Sequence, residues 1–254
     1  MKNFNLFLIF SFLLLFAACK SDPSPTPECG DSNIKIIAKA LYGGDPLVLY
    51  QAVDYPQGFK VKFSRADFMI KGLKLSGSSG ELAYKDSVFI LQFTDTEVEK
   101  AKLGNAISFD QCDGNFNELK LGVGLNKDLN AKKPSDFPSS HPLANAFYYW
   151  DAWKSYIFMK IEGKYDQDGD GNFEGSFVYH IGTDDLYKLI TMPISLNAQT
   201  GKSNSLELDI DLKDILAAGG EFIDIPKNPS SHNPGDIAIA HKIYDNLSTA
   251  ITVK

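Results

Sequence analysis

At 254 residues, with 44% hydrophobic residues and a formal net charge of −7, the chain can bury one large core and is acidic overall. It has a single arginine, Arg65, so it lacks the clustered cations that phosphate backbones require, and no nucleic-acid partner is expected. Its length suits one large domain, and no internal repeat is present.

The chain opens on "MKNFNLFLIFSFLLLFAAC", one cation, Lys2, followed by an apolar run that is short for a bilayer span. Phe16, third-last before Cys19, argues against ordinary signal cleavage. The stretch Leu15-Phe16-Ala17-Ala18-Cys19 instead resembles a bacterial lipobox, although Phe16 departs from the usual residue. This predicts a signal peptide over 1–18, a lipidated Cys19, and a membrane anchor in the envelope of a Gram-negative-type bacterium. The outer membrane is the expected site, at its periplasmic face or the cell surface. Losing Lys2 with the signal takes the net charge from −7 to −8. Residues 19–32, including "KSDPSPTPE", are too rich in proline and serine to pack and read as a tether. The folded domain is expected over 33–254.

Cys29 and Cys112 remain after Cys19 is assigned. They have no Cys-x-x-Cys spacing, and in an oxidising compartment they are expected to pair, which would stabilise the fold by about 4 kcal/mol in the chain-entropy model.

From Asn33 onward, short runs alternate polar with β-branched or aromatic residues: "NIKIIAKALYG", "FKVKF", "DFMIKGLKLSG", "DSVFILQFTD", "FNELKLGVG", "YIFMKIEGKYD", "GSFVYHIG", "YKLITMPISL" and "SLELDIDL". Gly, Asn, Asp and Ser clusters separate them at spacings typical of an antiparallel sandwich or barrel rather than a parallel α/β sheet, and the expected class is an all-β antiparallel sandwich. After Asp211, Leu212, Ile215 and Leu216 mark a short helix stopping at Gly219. A C-terminal amphipathic helix places Ala240, Ile243, Tyr244, Leu247 and Ile251 on one stripe.

The loop "DQDGDGNFEG" has carboxylates at alternate positions, Asp166, Asp168 and Asp170. An EF-hand would place a glutamate where Phe177 stands, so calcium would need Glu174 or another carboxylate; the alternative is a solvated Asp/Gly turn. The histidines are His141, His180, His232 and His241. His180 faces away from Phe177, Tyr179 and Ile181, and a hairpin centred near Gly169 would set it opposite Phe158. His141 and His232 lie in the similar loops "PSSHPL" and "PSSHNPG", where exposure is expected; His241 falls in the C-terminal helix and is set aside. Both tryptophans, Trp150 and Trp153, lie in "FYYWDAWKSY". Large aromatics ordinarily anchor a core. No G-x-S-x-G or H-E-x-x-H motif is present, so catalysis by the chain is not expected.

The segments "ADFMIKGLKLSG", "LKLGVGLNKDLN", "HPLANAFYYWDAWKSYIFMKIEG" and "FVYHIG", in that order, resemble the landmarks of the MbnP-like family of copper-binding periplasmic proteins. The resemblance spans about residues 33–253. It implies a β-rich secreted domain binding copper through histidines, and a tryptophan oxidised to kynurenine by a partner dihaem enzyme of the MauG/cytochrome c peroxidase type. By position, Trp150 matches the tryptophan after an aromatic pair and His180 the His-x-Gly run, with His141 and His232 as further copper candidates. The family's Trp-x-Trp is stretched to Trp-x-x-Trp, and aromatics replace the methionine before it. Two rivals stand beside this. One is a calcium-stabilised cell-surface binding or adhesion module presenting its tryptophans to a glycan or protein; the other is a purely structural lipoprotein.

Overall fold

The computed structural model describes residues 32–84, 88–231 and 237–254. Its strands, in chain order, are β1 (Ile34–Tyr42), β2 (Asp45–Pro46), β3 (Ala52–Asp54), β4 (Lys60–Gly77), β5 (Gly80–Ala83), β6 (Val88–Phe93), β7 (Asn105–Phe109), β8 (Gly114–Val123), β9 (Tyr149–Trp150), β10 (Ser155–Asp166), β11 (Gly175–Gly182), β12 (Lys188–Ala198), β13 (Asn204–Asp211) and β14 (Ile251–Val253). The helices are α1 (Val98–Ala101), α2 (Lys127–Asn130), α3 (Leu212–Leu216) and α4 (Ile237–Ala250).

Period-two patterning explains the layering. In β1, Ile34, Ile36, Ala38 and Ala40 are buried while Lys35, Ile37 and Lys39 are half-buried on the other face. One sheet runs β14-β13-β1-β2, with β7 also on β1. The other runs β11-β10-β4-β8-β12, with β3, β5 and β6 added along β4. The 18-residue β4 is the spine of this second sheet. It pairs with β10 over Lys60–Phe68 and with β8 over Ile70–Ser76, changing register between Lys71 and Lys74. Gly72 lies inside that change, at a φ of 67° that suits a residue without Cβ.

The fold is the mostly antiparallel β-sandwich the pattern predicts, with one difference: β1 and β13 pair in parallel. They lie at opposite ends of the domain sequence, so no hairpin dictates their direction.

The main core joins both sheets to α3 and α4, whose Ala240, Ile243, Leu247 and Ala250 are buried. Ile251, expected to end that stripe, instead begins β14. Helix α3 stops at Ala217, short of Gly219, which adopts φ 63° in the following turn. A smaller cluster of Met69, Val88, Leu125, Leu143, Tyr148, Tyr156 and Phe158 stands apart. Along β10, Met159 and Ile161 join the main core, while Tyr156 and Phe158 join the smaller one. Residues 142–150 therefore cover the outer face of the second sheet as a strap. Cys112 is buried and disulfide-bonded; its expected partner Cys29, like Cys19, lies outside the described residues.

Candidate functional site

The β10–β11 hairpin sets the site. Its register pairs Lys160 with His180 and Tyr165 with Gly175. The expected pairing of His180 with Phe158 is thus off by two residues, and the turn centres on Asp170. Asp166 explains the shift: its buried carboxylate accepts from the Gly169 N–H at 2.8 Å and the Gly171 N–H at 2.9 Å, winding the loop about itself. The alternation in β11 is as expected, with Phe177, Tyr179 and Ile181 buried and Val178 and His180 half-buried on the outer face.

His180 is held at side chain and backbone. Its Nε2 lies 2.8 Å from Glu162 Oε1. Its N–H donates to Ser231 Oγ at 2.9 Å, and the Ser231 hydroxyl donates to the His180 carbonyl at 3.0 Å. The Val178 N–H donates to the Pro229 carbonyl at 2.8 Å, so residues 229–231 run beside β11 and bridge Val178. His232 follows Ser231 in sequence and lies outside the described residues.

Charged residues extend from His180 across the outer face. Arg65 Nε is 3.5 Å from Glu162 Oε1, and an Arg65 terminal nitrogen is 2.9 Å from Asp67 Oδ2. Asp67, 2% exposed, also accepts from the Tyr148 hydroxyl at 2.9 Å. Burial opposes the Arg65 charge, but the bond to Asp67 and the charges of Asp67 and Glu162 outweigh it and raise the guanidinium pKa. Burial, then the Asp67 charge, raises that of the Tyr148 phenol. Lys160, 4% exposed, donates to the Phe147 carbonyl at 2.8 Å and lies 3.5 Å from the centroid of the Phe147 ring. Its burial lowers the ammonium pKa against the pull of Glu162. Alternation in "FMKIEG" marks Lys160 and Glu162 as outward-facing. In "FSRADF" the core residues Phe63 and Phe68 have opposite parity, so alternation does not place Arg65 and Asp67, and nothing in either stretch pairs Arg65 with Glu162 or Tyr148 with Asp67.

The tryptophans sit at the end of the strap. Trp150, in β9, pairs with Ser155, and the Trp153 N–H donates to the Trp150 carbonyl at 3.1 Å, closing a tight turn. Lys154 completes it at φ 50°. The indoles stack with centroids 4.7 Å apart and planes 4° from parallel. Both are half-buried, so they are not the core anchors that large aromatics usually become. Nor do they lie side by side as one flat platform, since each covers a face of the other.

His141 is also half-buried, not the exposed loop residue expected. Its Nδ1 accepts from the Leu143 N–H at 3.1 Å, capping a 3-10 turn, and its ring stacks on Phe137 at 4.6 Å. Burial, with Lys132 nearby, lowers its pKa. Among the described residues it forms no three-ligand group with His180. Asp166, Asp168 and Glu174 do converge, their oxygens within 4.8 Å of one another. Asp170 does not join them: its carboxylate accepts from the Asn172 N–H at 2.7 Å and the Asn172 side chain at 2.8 Å, bonds that lower its pKa.

Residues 31–234 match the model of the MbnP family. A comparison with curated proteins gave no match. Among solved structures the chain is similar to MbnP from Methylosinus trichosporium, with a TM-score of 0.53 and 14% identity over 87% of this chain and 97% of that one. At that identity the likeness is one of fold. The family match, by contrast, takes in most of the sequence and contains His180 and both tryptophans: the chain belongs to the MbnP family.

Proposed function

We propose that the protein is a lipid-anchored, extracytoplasmic copper-binding protein whose site centres on His180, with Trp150 or Trp153 the target of a partner dihaem enzyme. The observation that carries this reading is the His180–Glu162 pair, 2.8 Å apart on an outer sheet face beside the segment leading to His232. A carboxylate on one imidazole nitrogen fixes the ring's tautomer and orientation, the usual support for a metal-ligating histidine. The donors fit copper: imidazole and carboxylate suit Cu(II), and Cys112, in a disulfide, offers no competing thiolate. Two carboxylates, Glu162 and Asp67, offset the nearby Arg65 and Lys160. Copper held there would be a redox-active ion in a thiolate-free site. His180 would ligate it, Glu162 would orient His180, and His232 would complete the set in preference to His141, whose Nδ1 is committed to a turn. The half-buried indole pair gives a macromolecular oxidant an accessible edge.

A second reading draws on the Asp166, Asp168 and Glu174 convergence: a calcium-stabilised binding module. It is compatible with copper at His180, but the face-to-face indoles weaken its glycan platform.

The deciding experiment measures metal content and intact mass of the protein from its native envelope beside His180→Ala. Stoichiometric copper lost in the variant, with a mass change localised to Trp150 or Trp153, supports the proposal. Wild type that takes up no copper on loading, with both indoles unmodified, ends it.

A further inference from the structure

Arg65, the chain's single arginine, sits where the two halves of the outer face meet. On one side is Asp67, 3% exposed at its side chain, which also receives Tyr148 of the strap. On the other is Glu162, which holds His180. Tyr148 is two residues from Trp150. Besides its bond to Asp67, the strap is tied to the sheet by Gln92 Nε2 donating to the Tyr148 hydroxyl at 2.9 Å, by the Tyr156 hydroxyl donating to the Leu143 carbonyl at 2.9 Å, by the β9–β10 pairing, and by burial of Leu143 and Tyr148. The Phe147 carbonyl accepts from Lys160, and the Phe147 ring lies 3.5 Å from Lys160 Nζ and 4.9 Å from Arg65 Cζ. Arg65 Nε is buried without a hydrogen-bond partner among the described residues, 3.5 Å from Glu162 Oε1. A buried donor in that state gains from any small shift that brings Glu162 closer. The chain Tyr148–Asp67–Arg65–Glu162–His180 is thus continuous but closed fully at only one end of the guanidinium.

We propose that Arg65 is a positioning residue that couples the tryptophan strap to His180, so that what happens to the imidazole is felt at the indoles and the reverse. A change at His180 moves Glu162, and Glu162 sets how far the guanidinium leans from Asp67. Asp67 in turn holds Tyr148 and the strap. The planar guanidinium is pre-organised to reach Asp67 and Glu162 from different nitrogens, whereas lysine concentrates its donors on one nitrogen at the end of a flexible stem, so lysine would preserve charge but loosen the linkage. The functional meaning of the coupling rests on the copper proposal; its existence does not.

Both tryptophans lie at the strap's end, so tryptophan emission reports on that region alone. Acrylamide quenching would be measured for wild type, His180→Ala, Arg65→Lys and the double variant, all metal-free, with circular dichroism confirming the fold. The expected result is that His180→Ala raises the quenching constant by about 1.5- to 2-fold in wild type and leaves it unchanged in the Arg65→Lys background. A shift of equal size in both backgrounds, or none in wild type, would overturn the coupling. If Arg65→Lys does not fold, Glu162→Gln breaks the next link and replaces it, with the same expectation. Copper retention on the same proteins separates the two claims. If wild type binds copper, Arg65→Lys should bind it about 10-fold more weakly, as loss of outer support typically does. If wild type binds none, the copper proposal fails while the quenching result still decides the coupling.

Discussion

Asp166→Ala tests whether the hairpin loop is built by a carboxylate or by a cation. Asp166 is 2% exposed and accepts from two backbone N–H groups, Gly169 at 2.8 Å and Gly171 at 2.9 Å. A hydrogen bond to a charged acceptor contributes about 1.5–3 kcal/mol. The two glycines are exposed, so water can re-solvate their amides and the lower end applies, giving a loss of about 3 kcal/mol for the pair. Asp168 is exposed and accepts one N–H, from Asp170 at 3.2 Å, so Asp168→Ala should lose less than about 1 kcal/mol. Urea unfolding followed by circular dichroism, in chelator and again in millimolar calcium, separates the contributions. In chelator, Asp166→Ala should already show its full loss. Calcium should stabilise wild type but not Asp168→Ala if Asp168 and Glu174 hold the ion. An Asp166→Ala loss below about 1 kcal/mol in chelator would show that the loop holds without this carboxylate, and the structural argument would be wrong.

The remaining predictions concern three other places. The folded-state pKa of His141 lies below its free value, so its contribution is fully present above about pH 6.5 and is lost as pH falls through the lowered value. Protonation also removes the Nδ1 acceptor from Leu143. His141→Asn, which keeps a capping acceptor, should therefore lose less stability than wild type as pH falls below about 6.5 in thermal melts; an equal acid-side loss would contradict the assignment. Gly163→Ala would put a Cβ 2.3 Å from the Lys62 carbonyl and 2.5 Å from the Phe177 ring, beside the β4–β10 bulge. It should cost about 2 kcal/mol and lower the Tm by about 4–8 °C; an unchanged melt would contradict the close approach. The stacked indoles should give an exciton couplet in circular dichroism that vanishes in both Trp150→Phe and Trp153→Phe, although each keeps one tryptophan. Survival of the couplet in either variant would mean that the rings do not stack in solution.

The strands and α4 were legible because each buries one face: the period-two runs around Ile36, Phe63, Leu121 and Tyr179 and the Ala240–Leu247 stripe all face the core. Pairing partners were less so. The parallel match of β1 with β13 depends on residues far apart in sequence, and the β10–β11 register turned on two side-chain bonds of Asp166 that no periodicity encodes. At the site, His180 could be assigned to the outer face, but Glu162 as its partner required the true register and Arg65 required the β4–β10 bulge. Size alone argues for burial of the tryptophans, but β9 is a two-residue strand on the start of β10 and the turn that follows it leaves both rings half-buried. His141 misled in the opposite sense, because a proline-rich loop suggests exposure and gives no sign of Phe137 stacking beneath the ring.

The pairing of β1 with β13 and β14 also governs when the molecule can fold. The Lys39–Glu207 ion pair spans 168 positions, and β14, at residues 251–253, completes the same sheet. The first sheet therefore cannot close until β13 and β14 are available to β1, and pairing over so long a sequence separation makes that step slow. For an enzyme assembled in the cytosol such a delay is a hazard. For a chain destined to be threaded through a membrane it is an advantage, because translocation needs an open chain. If the protein is exported as proposed, an architecture that postpones its own completion would keep the polypeptide open for translocation.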